Sequence, residues 1–113
     1  MNISKRLISG TDVDMITIEE KEANLSQSEH FKKLILQDIR QGSRKIIISF
    51  SNVEYVDSSF LGALVAILKE LLPHNGKLVL IGLNDDIVNL FQLTRLDKIF
   101  ILKNDLDAAI KEF

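Results

Sequence analysis

Cysteine is absent from the 113 residues, which excludes disulfides, thiolate nucleophiles and cysteine-based zinc sites. A large excess of charge of one sign is also lacking. With 14 basic and 16 acidic side chains the formal charge is -2, leaving no broad basic face and arguing against nucleic acid as a partner. No apolar run approaches the ~18 residues of a membrane span, so direct membrane insertion is not expected. The N-terminal Met1–Arg6 is followed by no apolar stretch of signal-peptide length, and a cytoplasmic location is expected. The G-x-S-x-G elbow, the G-x-G-x-x-G fingerprint and the P-loop are all missing. His30 and His74 each lack a second ligand at metal spacing. No catalytic residue, metal or cofactor is therefore expected, and the chain does not read as an enzyme.

What is present suits one domain over residues 1–113, with 46% apolar residues for a core and 27% charged for a surface. Ile3–Ile8 and Val13–Ile18 read as strands, joined by Gly10-Thr11-Asp12 as a hairpin. Glu19-Glu20-Lys21-Glu22 reads as a solvated connection. Ser26-Gln27-Ser28-Glu29 matches a capping box, and the helix behind it carries Phe31, Leu34, Ile35 and Ile39 on one face before Gly42 stops it. Pro73 and Asn75-Gly76 end a later helix, and Lys77–Ile81 is a strand. Asn84 caps a helix with Asp85 and Asp86 in its first turn, Leu83 and Val88 as a staple, and Ile87, Leu90 and Phe91 inward. Lys98–Leu102 reads as the last strand, and Asn104 or Asp105 caps a final helix bearing Leu106, Ala109, Ile110 and Phe113. This order predicts an α/β fold. It should have a mostly parallel central sheet of about five strands, an antiparallel N-terminal edge strand and about four helices.

The middle of the chain, Arg44 to Leu72, carries the chemistry. Ile46-Ile47-Ile48-Ser49-Phe50 reads as a buried strand, and Leu61, Leu64, Val65, Leu68 and Leu72 recur at helical spacing. Between them Asp57-Ser58-Ser59 stands where a loop leaving the sheet enters a helix, the usual place for a site in such folds. Gly62 and Ala66 stack on one side of that helix and would let it lie close to the sheet. A nucleophilic serine would need a base, and neither histidine is near in sequence. Asp57 as a phosphoacceptor of the receiver type fits poorly. The chain opens with two strands, and Asp12 and Asp14 flank the start of the second rather than ending the first. One serine can cap the helix, which leaves the other free to be modified or recognised.

The segment Val53-Glu54-Tyr55-Val56-Asp57-Ser58-Ser59-Phe60-Leu61-Gly62 resembles the motif of the STAS domain, shared by anti-sigma factor antagonists and sulfate transporters. Phe91-Gln92-Leu93-Thr94-Arg95-Leu96-Asp97-Lys98 resembles a second family stretch, where Leu-Thr-Gly-Leu-Asp-Lys is common. The resemblance implies a STAS-like fold and an anti-sigma factor antagonist. Such a protein binds an anti-sigma factor that is also a serine kinase, is phosphorylated by it on the second hydroxyl of the pair, here Ser59, and is restored by a serine phosphatase. Asp57, Ser58, Ser59, Phe60 and Leu61 would then form the partner-binding surface. Two positions depart from the family pattern: Phe60 and Arg95 each stand where glycine is common. Phe60 is expected to crowd or anchor a partner, and Arg95 to reshape its loop. Glu22-Ala23-Asn24-Leu25 stands where many members carry a Gly-Glu-Leu-Asp-like segment. The alternative reading is a non-switching STAS subunit of a lipid-transport complex or signalling scaffold.

Overall fold

A computed structural model describes residues 1–113. The strands are β1 (Ile3–Leu7), β2 (Val13–Ile18), β3 (Glu22–Ala23), β4 (Lys45–Ser49), β5 (Tyr55–Val56), β6 (Lys77–Ile81) and β7 (Ile101–Lys103). The helices are α1 (Leu25–Arg40), α2 (Ser58–Leu71), α3 (Asp85–Leu93) and α4 (Leu106–Ile110). Five strands form one sheet in the order β1-β2-β4-β6-β7. β1 pairs antiparallel to β2, with Ile3 opposite Ile18, and every other neighbour is parallel. The anticipated architecture is therefore the observed one. No helix is long and apolar enough to cross a membrane.

The two sheet faces are covered unequally. Ile16, Ile18, Ile46, Ile48, Leu78 and Leu80 point to the side covered by α1, α2 and α3 and join the larger core. Val13, Ile47, Val79 and Ile81 point the other way, where α4 covers them with Ala109. The near-continuous apolar runs of β4 and β6 follow from this, because a central parallel strand is buried on both faces. The Asn75-Gly76 turn is fixed sterically as well as by turn chemistry. Asn75 takes φ 58, and a Cβ at Gly76 would sit 2.9 Å from the Arg44 carbonyl oxygen.

Four local expectations differ from the structure. The capping box at Ser26 and Glu29 does not form. Asn24 caps α1, its side chain accepting from Ser26 N at 3.1 Å, and Glu29 pairs with Lys32 at 2.9 Å instead. The connection after β2 is not wholly solvated: Glu22–Ala23 pairs with Tyr55–Val56 as a small second sheet. The last strand begins later than Lys98, because Leu96–Lys98 makes a 3₁₀ turn and Phe100 is drawn into the core edge-on to Phe91, ring centres 5.7 Å apart. The Gly62–Ala66 strip does not face the sheet. Gly62 is exposed, a Cβ there would meet nothing, and Ala63 is the small residue that is buried.

Candidate functional site

The site is built at the end of the molecule where the upper ends of the parallel strands meet the helix N-termini. The short β3–β5 pair sets its position, since Glu54 N and Tyr55 N both donate to Lys21 O and Asp57 N donates to Ala23 O. That ties the loop ahead of α2 to the loop ahead of α1. Asp57, in extended conformation, is then the N-cap of α2, its Oδ1 accepting from Phe60 N at 3.0 Å. Its other oxygen, Oδ2, accepts from Leu25 N, the first residue of α1, at 2.8 Å. One carboxylate thus serves two helix N-termini, each with orphan amides and the positive end of a dipole.

This changes the role expected of the serines. Neither is the cap, because Asp57 is, and no hydrogen bond within the chain involves the side chain of Ser58 or Ser59. The two hydroxyls lie on different sides of α2. Ser58 is exposed and lines a cavity of about 440 Å³ with Glu54, Tyr55, Asp57, Asp86 and Leu90. Ser59 is half-buried. It lies on the same side of α2 as Ala63, Ala66 and Glu70, and Arg40 Nε of α1 donates to Glu70 Oε1 at 3.4 Å. Ser59 therefore faces α1, beside the paired helix N-termini.

Phe60 and Leu61, expected as partner contacts, are buried and do not form a docking surface. Phe60 has no exposed area, and its ring packs 4.9 Å from that of Phe31 and edge-on to Phe50 at 6.3 Å. Its position was legible in the spacing, because Phe60, Leu64, Ile67 and Leu71 recur at helical intervals on the inner side. Two residues that no pattern singled out are exposed at the site instead, Leu25 (68%) and Tyr55 (55%). Their signal lies in tertiary structure: each is apolar and off the buried stripe of its element. Arg95 also differs from expectation. It adopts φ 61, so the loop keeps a glycine-like backbone with an arginine in it.

A family model described as the STAS domain matches residues 15–109. The anti-sigma-B factor antagonist of Staphylococcus aureus is 34% identical, the match covering 77% of this chain and 71% of that one. Among solved structures, a candidate anti-sigma factor antagonist from Thermotoga maritima superposes with a TM-score of 0.86 at 27% identity, covering 97% of this chain and 92% of that one. The Bacillus cell fate determinant SpoIIAA in its phosphorylated form superposes with a TM-score of 0.74 at 19% identity, covering 99% and 100%, a likeness of fold.

Proposed function

Because the chain belongs to the STAS domain family, we propose that it is an anti-sigma factor antagonist whose docking is switched off by a phosphate on Ser59. It binds an anti-sigma factor that is also a serine kinase, that kinase adds the phosphate, and a serine phosphatase removes it. The chain itself makes and breaks no bond; transcription is reached only through the partner. The observation that carries the reading is the freeing of both serines from capping by Asp57, which leaves a hydroxyl in the first turn of α2 with no duty in the fold.

Electrostatics favour Ser59 over Ser58. A phosphate brings roughly -1.5 to -2 charge near neutral pH. On Ser58 it would share a cavity with the carboxylates of Glu54, Asp57 and Asp86. On Ser59 it lies on the side of α2 that faces α1, where two helix N-termini come together at Asp57. A helix N-terminus stabilises an anion by about 0.3–1 kcal/mol, which roughly offsets repulsion from Asp57, so the fold tolerates the group. A docked partner would have to bury it, and an unpaired buried charge costs several kcal/mol. At about 1.4 kcal/mol per tenfold, a loss of affinity of about 100-fold or more follows from one group.

The test is titration calorimetry with the anti-sigma factor of the same cell. Ser59→Asp is expected to lose at least ~100-fold in affinity while melting within a few degrees of the wild type. Ser59→Ala is expected to bind, and to gain no 80-Da increment in intact mass when incubated with the kinase and ATP. Normal binding by Ser59→Asp would sink the switch. The exposed Leu25 and Tyr55 would equally suit a constitutive subunit of a lipid-transport complex or scaffold. That reading is favoured if no kinase modifies the chain and it copurifies with an ATPase.

A further inference from the structure

The helices on the broad sheet face are not evenly packed. α1 lies along α2, joined by the Phe31–Phe60 ring pair above and the Arg40–Glu70 contact below. α3 instead packs against β5 and the 3₁₀ turn that follows it, leaving a cleft beside α2. The upper end of the cleft is the cavity beside Ser58. Four of its eight lining residues are hydrophobic, three are carboxylates, Glu54, Asp57 and Asp86, and none is basic.

Helical periodicity carries the lining downward as a largely apolar strip interrupted by Lys69. On α2, Ser58, Gly62, Val65 and the exposed Lys69 fall on one side, and Leu72, in the 3₁₀ turn just past the helix, continues it. On α3, Leu93 lies one turn below Leu90 on the same side. Leu93 is 83% exposed and Leu72 58%. Gly62 stands on the same margin of α2 as Ser58 and adds no side chain, which keeps that wall low. Leucines so exposed on two flanking lines, with unpaired acids at one end, are not explained by the core.

We infer that this cleft seats an amphipathic helix of the docking partner. Its apolar stripe would lie along Leu90, Leu93 and Leu72, and a lysine or arginine at one end would meet Glu54 and Asp86. Charge selects this occupant: the side chains of Glu54 and Asp86 form no ion pair or hydrogen bond within the chain, so a basic group completes them. Shape selects a helix over a strand, because the long walls are helices and the strand that lines the upper end, Tyr55–Val56, is two residues long, too short an edge to hold an added strand. An anionic lipid surface is disfavoured by the same carboxylates. The inference deepens the proposed docking role and rests on it for the partner's identity.

The direct test needs no partner. A synthetic peptide of about 15 residues, with leucines at i, i+3, i+4 and i+7 and lysines elsewhere, is titrated into the ¹⁵N-labelled chain. Saturable shifts are expected at the Tyr55, Val65, Leu90 and Leu93 amides, with binding weakened about tenfold or more by Leu93→Lys and absent for a peptide with glutamates in place of the lysines. Leu93 is exposed, so this variant should keep the wild-type melting temperature, which is measured alongside. The inference is overturned by shifts confined to other surfaces or by no shifts. It is equally overturned by undiminished binding in Leu93→Lys, or by sedimentation showing that the free chain dimerises and that Leu93→Lys abolishes the dimer. The anti-sigma factor separates the two claims. Loss in Ser59→Asp with wild-type affinity in Leu93→Lys keeps the switch and overturns the cleft. Loss in Leu93→Lys with wild-type affinity in Ser59→Asp does the reverse, and loss in both supports both.

Discussion

The two ends of the parallel sheet hold similar polar groups and treat them differently. At the lower end the groups answer one another: Lys45 Nζ meets Asp12 at 3.1 Å, Lys5 meets Asp38 at 2.9 Å, and the Ser43 hydroxyl donates to Asp14. Arg44 donates to the carbonyls of Ile39 and Ser43 at 2.7 and 2.9 Å. The hydrogen bond from Lys45 holds the Asp12 carboxyl below the usual carboxylate range. At the upper end Asn24, Asp57 and Asn84 are spent on capping helices, while the side chains of Glu54, Asp86, Ser58 and Ser59 find no partner within the chain. Exposed ion pairs such as those below contribute little stability. Their effect is that these charges are answered within the chain. The upper end keeps its hydrogen-bonding capacity open beside exposed Leu25 and Tyr55, as a docking surface requires.

The strongest way to break this comparison is to undermine the upper end from below. Phe60→Ala removes a ring packed between Phe31 and Phe50 and should cost about 3–5 kcal/mol in urea unfolding. An effect under ~1 kcal/mol would mean that the ring is a contact residue and not core. Next in size, Asp57→Ala removes the cap of α2 and the acceptor for α1 together, and should cost about 2 kcal/mol by the same measurement. Asp57→Asn keeps an acceptor for each amide and should recover most of that loss. If it also keeps partner affinity, the carboxylate charge is not read by the partner. The smallest effect sharpens the picture of the lower end, where Arg95 sits in the left-handed region after α3. Arg95→Gly should stabilise by about 1 kcal/mol, seen as a rise in Tm. A fall in Tm would show that the arginine side chain makes up for its backbone cost.

Much of the fold was legible because its signals are local. Strand β4 announces itself as an isoleucine run too short for a helix, and α3 by its Asn84 cap with Asp85 and Asp86 behind it, Asn84 Oδ1 accepting from Ile87 N at 2.9 Å. The start of α1 was misread because two capping candidates lie two residues apart. Asn24 prevails over Ser26 with its neighbourhood already ordered, Ala23 being paired to Val56 and Leu25 held by Asp57. The last strand was placed early because Ile99, Phe100 and Ile101 look like one apolar run, whereas Phe100 leaves the strand direction to meet Phe91. At the site, the motif located the serines, and the helical spacing of Phe60 with Leu64, Ile67 and Leu71 already contradicted its reading as a surface anchor.

By itself the amino-acid sequence determined the alternation of strands and helices, the antiparallel edge and the position of Asp57-Ser58-Ser59 at a strand-to-helix junction. Hydrophobic period, caps and turn residues act over a few positions and need no distant partner. Tertiary structure alone decided that Asp57 also holds Leu25 at the start of α1, 32 residues back along the chain, that Ser58 and Ser59 lie on different sides of α2, and that Leu25, Tyr55 and Leu93 are left uncovered. Those outcomes depend on which helix lies beside which. Packing of the whole core settles that question, and no stretch of the chain carries it alone.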